Sequence, residues 1–351
     1  MHIASLGLHL TDRCNARCQH CAYHCGPEAK GVMSLDHAKH YLHQVTGQSL
    51  QLVGISGGEP CLYFGLVTDV VREAQALGIP SVWVFTNAFW AVNKTVARRK
   101  LALLKEAGVI RLCLSADGFH QPFVPVERVG HAMAVAREMA LEVALDVRFL
   151  NSPQDDNPTN QITRQALEQL GDLGDVEIWQ GQPWCIGRAA DTLLPHLVER
   201  PGLPSGGCPG PWAGGTWEAP SGVDIDLYGE VTLCPGISIG NAKERPLGHI
   251  LAEYNPWQHP IIRELATGGP ASLAEMARHM GYSSRASYVS ECHLCYDVRK
   301  SLRSQYSSAL APLICYEEAT QPTLATPNTL CQASGLTPNS RRVFLHSHQW
   351  S

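Results

Sequence analysis

The sequence predicts an α/β fold, and three observations carry that reading. Six short β-rich runs alternate with five longer helical patterns over roughly the first 180 residues. The residues with chemical potential fall just after those runs. Beyond Gln182 the alternation stops and gives way to a stretch rich in Pro, Gly, Trp and Cys. Strand and helix repeating at such a spacing imply parallel pairing through right-handed crossovers.

Strands are expected at Gly7–Leu10, Gln51–Ser56, Ser81–Thr86, Val109–Ser115, Val143–Phe149 and Val176–Gln180. Helices are expected near 34–48, 63–77, 93–107, 126–140 and 158–171. Ser34 is placed to cap the first of these, and Gly78 and Gly108 follow the ends of two others. A hairpin is read at Val223–Leu227 and Glu230–Leu233 around a Tyr228-Gly229 turn. Past about Ala311 the composition turns to Pro, Thr, Ser and Asn, as expected of a floppy tail. The expected division is a first unit over 1–182, a cysteine-rich unit over 183–300 and a C-terminal helix and tail over 301–351.

The bulk numbers narrow the functional class. The 351 residues are 44% hydrophobic and 17% charged, an ordinary globular composition. No apolar run reaches the eighteen or so residues of a membrane span. Met1–Leu10 has neither a basic start nor a cleavage signal, so a cytoplasmic location is expected. A net charge of −5 without a long basic run makes a nucleic-acid partner unexpected. Thirteen cysteines, an odd count, point to metal or cluster ligation and not to a disulfide framework.

Cys14, Cys18 and Cys21 form a CxxxCxxC triplet at the mouth of the first strand. Three thiolates so close can hold three irons of a cubane [4Fe–4S] cluster and leave the fourth iron open. An open iron can bind a small molecule and pass it an electron directly. Gly57-Gly58-Glu59-Pro60 follows the second strand. Together the two motifs resemble those of the radical S-adenosylmethionine (SAM) enzymes, although His20 stands where that family usually has an aromatic residue.

The resemblance implies an open, partial (β/α)6 barrel whose active face is the rim after the strands. It implies that the open iron chelates the amino and carboxylate groups of SAM, with backbone of Gly57, Gly58 and Glu59 at the methionyl amine. Reductive cleavage would then yield a 5′-deoxyadenosyl radical that abstracts a hydrogen atom. Ser115 and Asp117, after the fourth strand and just ahead of His120, are assigned to the SAM ribose or the substrate; an Asp-Gly turn is the plain alternative. Arg188 is assigned to a carboxylate of SAM or substrate, with a solvent-facing residue as its alternative.

Cys208, Cys234, Cys292 and Cys295 make a second set, ending in a CxxC pair. Four thiolates complete a cubane or a zinc ion and leave no open position. The run from Asp226 to Gly236 resembles the Gly-x4-Cys unit of the SPASM and twitch extensions, which carry auxiliary clusters, and Gly187-Arg188-Ala189 resembles a recurrent junction of those proteins. Only Cys315 and Cys331 lie beyond Cys295, so the shorter twitch form with one auxiliary [4Fe–4S] cluster is expected. Cys185 is an alternative to Cys208 as ligand, and structural zinc an alternative to iron. Cys25, Cys61 and Cys113 read as small buried residues, with Cys61 a possible hydrogen-atom donor.

A fully ligated second cluster favours oxidation, since a substrate radical can lose an electron to it. The expected function is therefore an oxidoreductase of dehydrogenase or maturase type that oxidises or cross-links a peptide, fed by an electron donor such as flavodoxin or ferredoxin. Thirteen residues precede Cys14, so a peptide would meet separate recognition machinery or the barrel mouth. Dehydrogenation or epimerisation of a sugar or aminocyclitol is the alternative. Ser272–Ser290 reads superficially like a helix-turn-helix, and a non-catalytic metal-binding regulator is the rival from another class.

Overall fold

The computed structural model describes residues 1–316. Most of the tail expected past Ala311, Cys331 included, lies outside the described residues. In chain order the barrel elements are β1 (Ser5–His9), α1 (Leu35–Gln44), β2 (Leu52–Ser56), α2 (Phe64–Ala76), β3 (Ser81–Thr86), α3 (Lys94–Ala107), β4 (Arg111–Ser115), α4 (Val126–Glu138), β5 (Glu142–Arg148), α5 (Pro158–Leu170) and β6 (Glu177–Gly181). They are followed by α6 (Arg188–Thr192), β7 (Arg200–Pro201), β8 (Gly222–Asp226), β9 (Glu230–Cys234), β10 (Ile237–Asn241), α7 (Leu247–Glu253), α8 (Ile262–Arg278), β11 (Ser287–Tyr288) and α9 (Glu291–Leu302).

Local chemistry sets the helix ends. Ser34, Asn93 and Asn157 cap α1, α3 and α5, each side chain accepting from a backbone N–H of the first turn. Gly108 ends α3 with φ +114°, a left-handed conformation that a side chain would resist. Alternation along the strands buries Leu6, Leu8, Val53, Ile55, Val82 and Val84 completely against the helices. Each such side chain contributes about 1.5–3 kcal/mol.

The strands form one sheet in the order β10-β9-β8-β1-β2-β3-β4-β5-β6, with β1 to β6 parallel throughout. In a flat sheet β3 and β6 would stand about 14 Å apart. Here the rings of Trp83 and Trp179 lie 5.9 Å apart, and Arg111 Nη1 on β4 reaches Glu177 on β6 at 2.6 Å. The sheet therefore curls, as an open barrel whose edge strands among the described residues are β6 and β10.

The hairpin after residue 220 is not a separate layer. β8 pairs in parallel with β1, residue for residue from Ser5↔Gly222 to His9↔Asp226, and β9 and β10 extend the sheet antiparallel. The second unit thus begins on the barrel's own edge. The sequence Ser272–Ser290 is not a helix-turn-helix: α8 breaks at Gly268 and Gly269, and after Gly281 the chain runs through β11, paired with β7, before α9 starts at Glu291. Among the described residues, no helix is long and apolar enough to cross a membrane.

Candidate active site

Both sequence motifs of the first site sit on the rim after β1 and β2, and backbone contacts lock them together. Gly58 N donates to Thr11 O at 2.5 Å, and Glu59 N to Arg13 O at 2.9 Å. A Cβ on Gly57 would lie 2.7 Å from Thr11 O, and one on Gly58 2.4 Å from Arg13 O. The glycines are required by the cysteine loop itself. The N–H groups of Gly58 and Glu59 are thereby held by Thr11 and Arg13. The Glu59 carboxylate is buried and accepts from Thr86 Oγ1 (2.7 Å), Asn87 N (2.7 Å) and Cys61 N (3.0 Å). Cys61 is buried in the same cluster.

Cys14 and Cys18 are buried, and Cys21 is half-buried. Burial pushes the Cys14 thiol well up, and the charges of Glu59, Cys18 and Cys21 push it further. Cys21 goes the other way, to about 5, because it accepts a hydrogen bond from Cys25 and lies near the Arg188 cation. Three cysteines gathered on one loop, with Cys14 held protonated by burial and Cys21 poised as a thiolate, fit a site completed by a cationic iron cluster.

Arg188 does not present its fork to a ligand. It is 3% exposed, and Nη1 and Nη2 donate to the backbone carbonyls of Cys18 (3.1 Å) and Cys25 (2.6 Å). The cause is local: Gly187, at φ +56°, lets α6 press so close to the loop that a Cβ would sit 2.2 Å from Ala22 O, and Ala189 N donates to Cys21 O. Arg188 is a strut inside the cysteine loop.

Asp117 is also enclosed. Its Oδ1 accepts from Phe119 N (3.0 Å), His120 N (3.2 Å) and His120 Nδ1 (2.8 Å), and its Oδ2 from Arg148 N (3.2 Å). Burial opposes its charge, yet His120 and His20 hold it at about 2. His120, despite burial, is kept well above the ordinary histidine value by Cys18 and Asp117. The Asp-Gly turn is therefore a charged Asp117–His120 pair set against Cys18. Ser115 ends β4, half-buried, in register with Asp146.

Sequence reasoning missed a second buried group beside this loop. His9 Nε2 lies 3.0 Å from Asp12 Oδ1 and 4.0 Å from Cys25 Sγ, and Tyr228 donates its hydroxyl to Asp12 Oδ2 at 2.7 Å. The β1–β8 pairing assembles it, and a parallel contact across two hundred residues leaves no local signal.

The second cysteine set also converges. Cys292 lies within electrostatic reach of Cys234, Cys295 and Cys208, and burial with this crowding pushes its thiol well up. Cys208 is raised to about 11 and Cys234 to about 12, burial first and neighbouring thiols after. The charged neighbours of Cys185 are Arg285, Glu199 and Asp191. Four thiols that cannot ionise together unaided match the donor set of a metal or cluster site.

With this geometry in view, the sequence model of the radical SAM superfamily matches residues 8–147. Residues 8–147 are a radical SAM domain. The radical SAM superfamily uses a [4Fe–4S] cluster and SAM, and the Cys14, Cys18 and Cys21 loop is the donor set that fits that cluster. The Bacillus subtilis (strain 168) protein YydG, named for peptide biosynthesis, is 22% identical over 203 residues, covering 57% of this chain and 61% of its own. A GTP 3′,8-cyclase of Listeria monocytogenes (EGD-e) is 32% identical over 167 residues, covering 43% and 47%. The chain thus spans about six tenths of the first relative and about half of the second. The structure of anSMEcpe with bound AdoMet and a Cp18Cys peptide covers 86% of this chain and 97% of its own at 13% identity, but its TM-score of 0.37 is too low to bear on function.

Proposed function

We propose that this radical SAM enzyme modifies a peptide, oxidising or cross-linking it with the help of a second [4Fe–4S] cluster held by Cys208, Cys234, Cys292 and Cys295 in the 183–300 unit. The electrostatic proximity of those four thiols, with Cys234 at the end of β9 in the same sheet as β1, is the observation that carries the reading. Support for a peptide comes from YydG, whose name refers to peptide biosynthesis.

When bound, the first cluster and SAM supply one-electron cleavage of SAM and, with it, hydrogen-atom abstraction. The chain's own residues prepare that chemistry. Arg188 ties the carbonyls of Cys18 and Cys25 to α6, so the ligand loop keeps its shape. Gly57 and Gly58 let the second motif close on the first. The Asp117–His120 pair holds a charged ring beside Cys18. The curled face of the sheet, where Trp179 meets both Trp83 and Phe85, is the substrate chamber in this reading.

The test is anaerobic reconstitution with iron and sulfide, followed by dithionite, SAM and candidate peptides encoded near the gene. About eight irons per chain, 5′-deoxyadenosine, and a peptide lighter by two mass units support the proposal. A cubane-loaded protein that yields no 5′-deoxyadenosine defeats it. Unchanged peptide mass with deuterium uptake from solvent converts the reading to epimerisation.

A further inference from the structure

Arg299 is an arginine buried among cysteines. It lies on α9, one helical turn beyond Cys295, and is 1% exposed. Its Nη1 donates to Pro235 O, next to Cys234, at 2.8 Å and to Tyr316 Oη at 3.1 Å. The Tyr316 hydroxyl in turn donates to Gly236 O, and its ring stacks on Tyr296 at 5.8 Å with planes 2° apart. The Nε of Arg299 is buried and has no hydrogen-bond partner. The cation's electrostatic neighbours include Cys208, Cys234, Cys292 and Cys295.

A buried guanidinium is costly unless negative charge compensates it. No carboxylate is within hydrogen-bonding distance of Arg299 among the described residues: its partners are a carbonyl, a phenol and the side chain of Cys295. Burial also keeps the nearby Cys315 and Tyr316 protonated, since both are pushed far up. The four-cysteine site beside it supplies that charge once loaded, and the buried, unpartnered Nε leaves one N–H of the guanidinium free to meet a sulfur there.

We infer that Arg299 sets the reduction potential of the cluster held by Cys208, Cys234, Cys292 and Cys295, acting as a fixed internal cation that stabilises its reduced state. The inference rests on the reading of that set as a cluster site. Each electron accepted makes the site one unit more negative, with no proton taken up and no bond changed. A guanidinium in a low-dielectric pocket favours the more negative state and raises the potential. Arg299 touches no substrate and is a positioning and tuning residue.

The experiment is an EPR-monitored potentiometric titration with dithionite as electron source. It uses the full chain carrying Cys14→Ala, Cys18→Ala and Cys21→Ala, so that only the second set binds iron. Arg299→Gln is expected to shift the midpoint to lower potential, and Arg299→Lys, which keeps the charge but loses the planar fork, to fall between it and the parent. Arg98→Gln, on the surface of α3, is expected to leave the midpoint unchanged. A midpoint unmoved by Arg299→Gln overturns the inference, and so does an equal shift in the Gln and Lys variants. Should Arg299→Gln fail to hold iron, the neutral variants Arg299→Met and Arg299→Leu take its place: a midpoint below the parent's supports the inference, and one equal to it overturns it. Zinc in place of iron in the parent protein would mark the failure of the cluster reading instead.

Discussion

Gly7 and Asp224 face each other across the β1–β8 ladder so closely that a Cβ at position 7 would lie 1.7 Å from Asp224 Oδ1. The Asp224 carboxylate occupies the space the glycine vacates, on the same face of the curled sheet as His9. A Gly7→Ala substitution is therefore expected to destabilise the protein by about 1–3 kcal/mol through overpacking. Its Cβ meets Asp224 Cβ at 3.5 Å, an ordinary contact. The double variant Gly7→Ala/Asp224→Ala should recover most of that loss in a denaturant-based double-mutant cycle. Additive costs would show that the clash is relieved elsewhere.

The pH dependence of Asp224 has a definite sign. Burial pushes this carboxyl up to about 6, against the opposing charge of His9. A carboxyl raised on folding stabilises fully below its unfolded value, and that contribution is lost as pH rises towards about 6. Asp224→Asn removes the ionisable group. Thermal melts of the metal-free chain should show the variant gaining on the parent between pH 4 and pH 7. A difference that stays flat across that range would contradict the assignment.

Arg188→Leu removes donors from two backbone carbonyls inside the cysteine loop, each loss worth about 1–3 kcal/mol. Iron bound by the first set should fall, and SAM cleavage with it, while iron on the second set stays. Iron analysis after reconstitution, with and without Cys14→Ala, separates the two sites. Full first-site loading in Arg188→Leu would reduce the residue to an incidental contact.

Cys208 and Cys185 give the plainest contrast in the second set. Cys208→Ser should lower iron per chain towards half, and Cys185→Ser should leave it unchanged, because Cys208 is an electrostatic neighbour of Cys292 whereas those of Cys185 are Arg285, Glu199 and Asp191. The converse result would exchange the two as ligands.

Gly58→Ala would place a Cβ 2.4 Å from Arg13 O, a backbone atom that cannot swing aside. Loss of 5′-deoxyadenosine formation is expected with the chain still folded, as checked by circular dichroism. Activity within twofold of the parent would mean that the two motifs separate without consequence.

Much of this was legible in the sequence because it is local. The β3 run matches Ser81–Thr86 to the residue, and the other barrel strands fall within two residues at each end, since β-branched runs and glycine stops are read from near neighbours. Spacing alone brought out both cysteine sets. The parallel β1–β8 seam was not legible, because nothing in either strand encodes a partner two hundred residues away. The backbone partners of Arg188 and the whole of Arg299's setting were not legible for a related reason. An arginine in sequence reads as a surface charge or an anion clamp, and only the packed chain reveals carbonyls or thiols waiting for it. The glycines of the second motif were singled out for the close approach they permit, and the atoms in the space they leave belong to Thr11–Arg13.

The unbroken ladder from β6 to β10 has a mechanical consequence. One cysteine loop leaves the end of β1, Cys234 closes β9 two strands away, and no hinge intervenes among the described residues. The gap between the two sulfur nests is thus a built-in dimension of the scaffold, as fixed as the spacing of rungs. Substrate arriving between them would find the ruler already set.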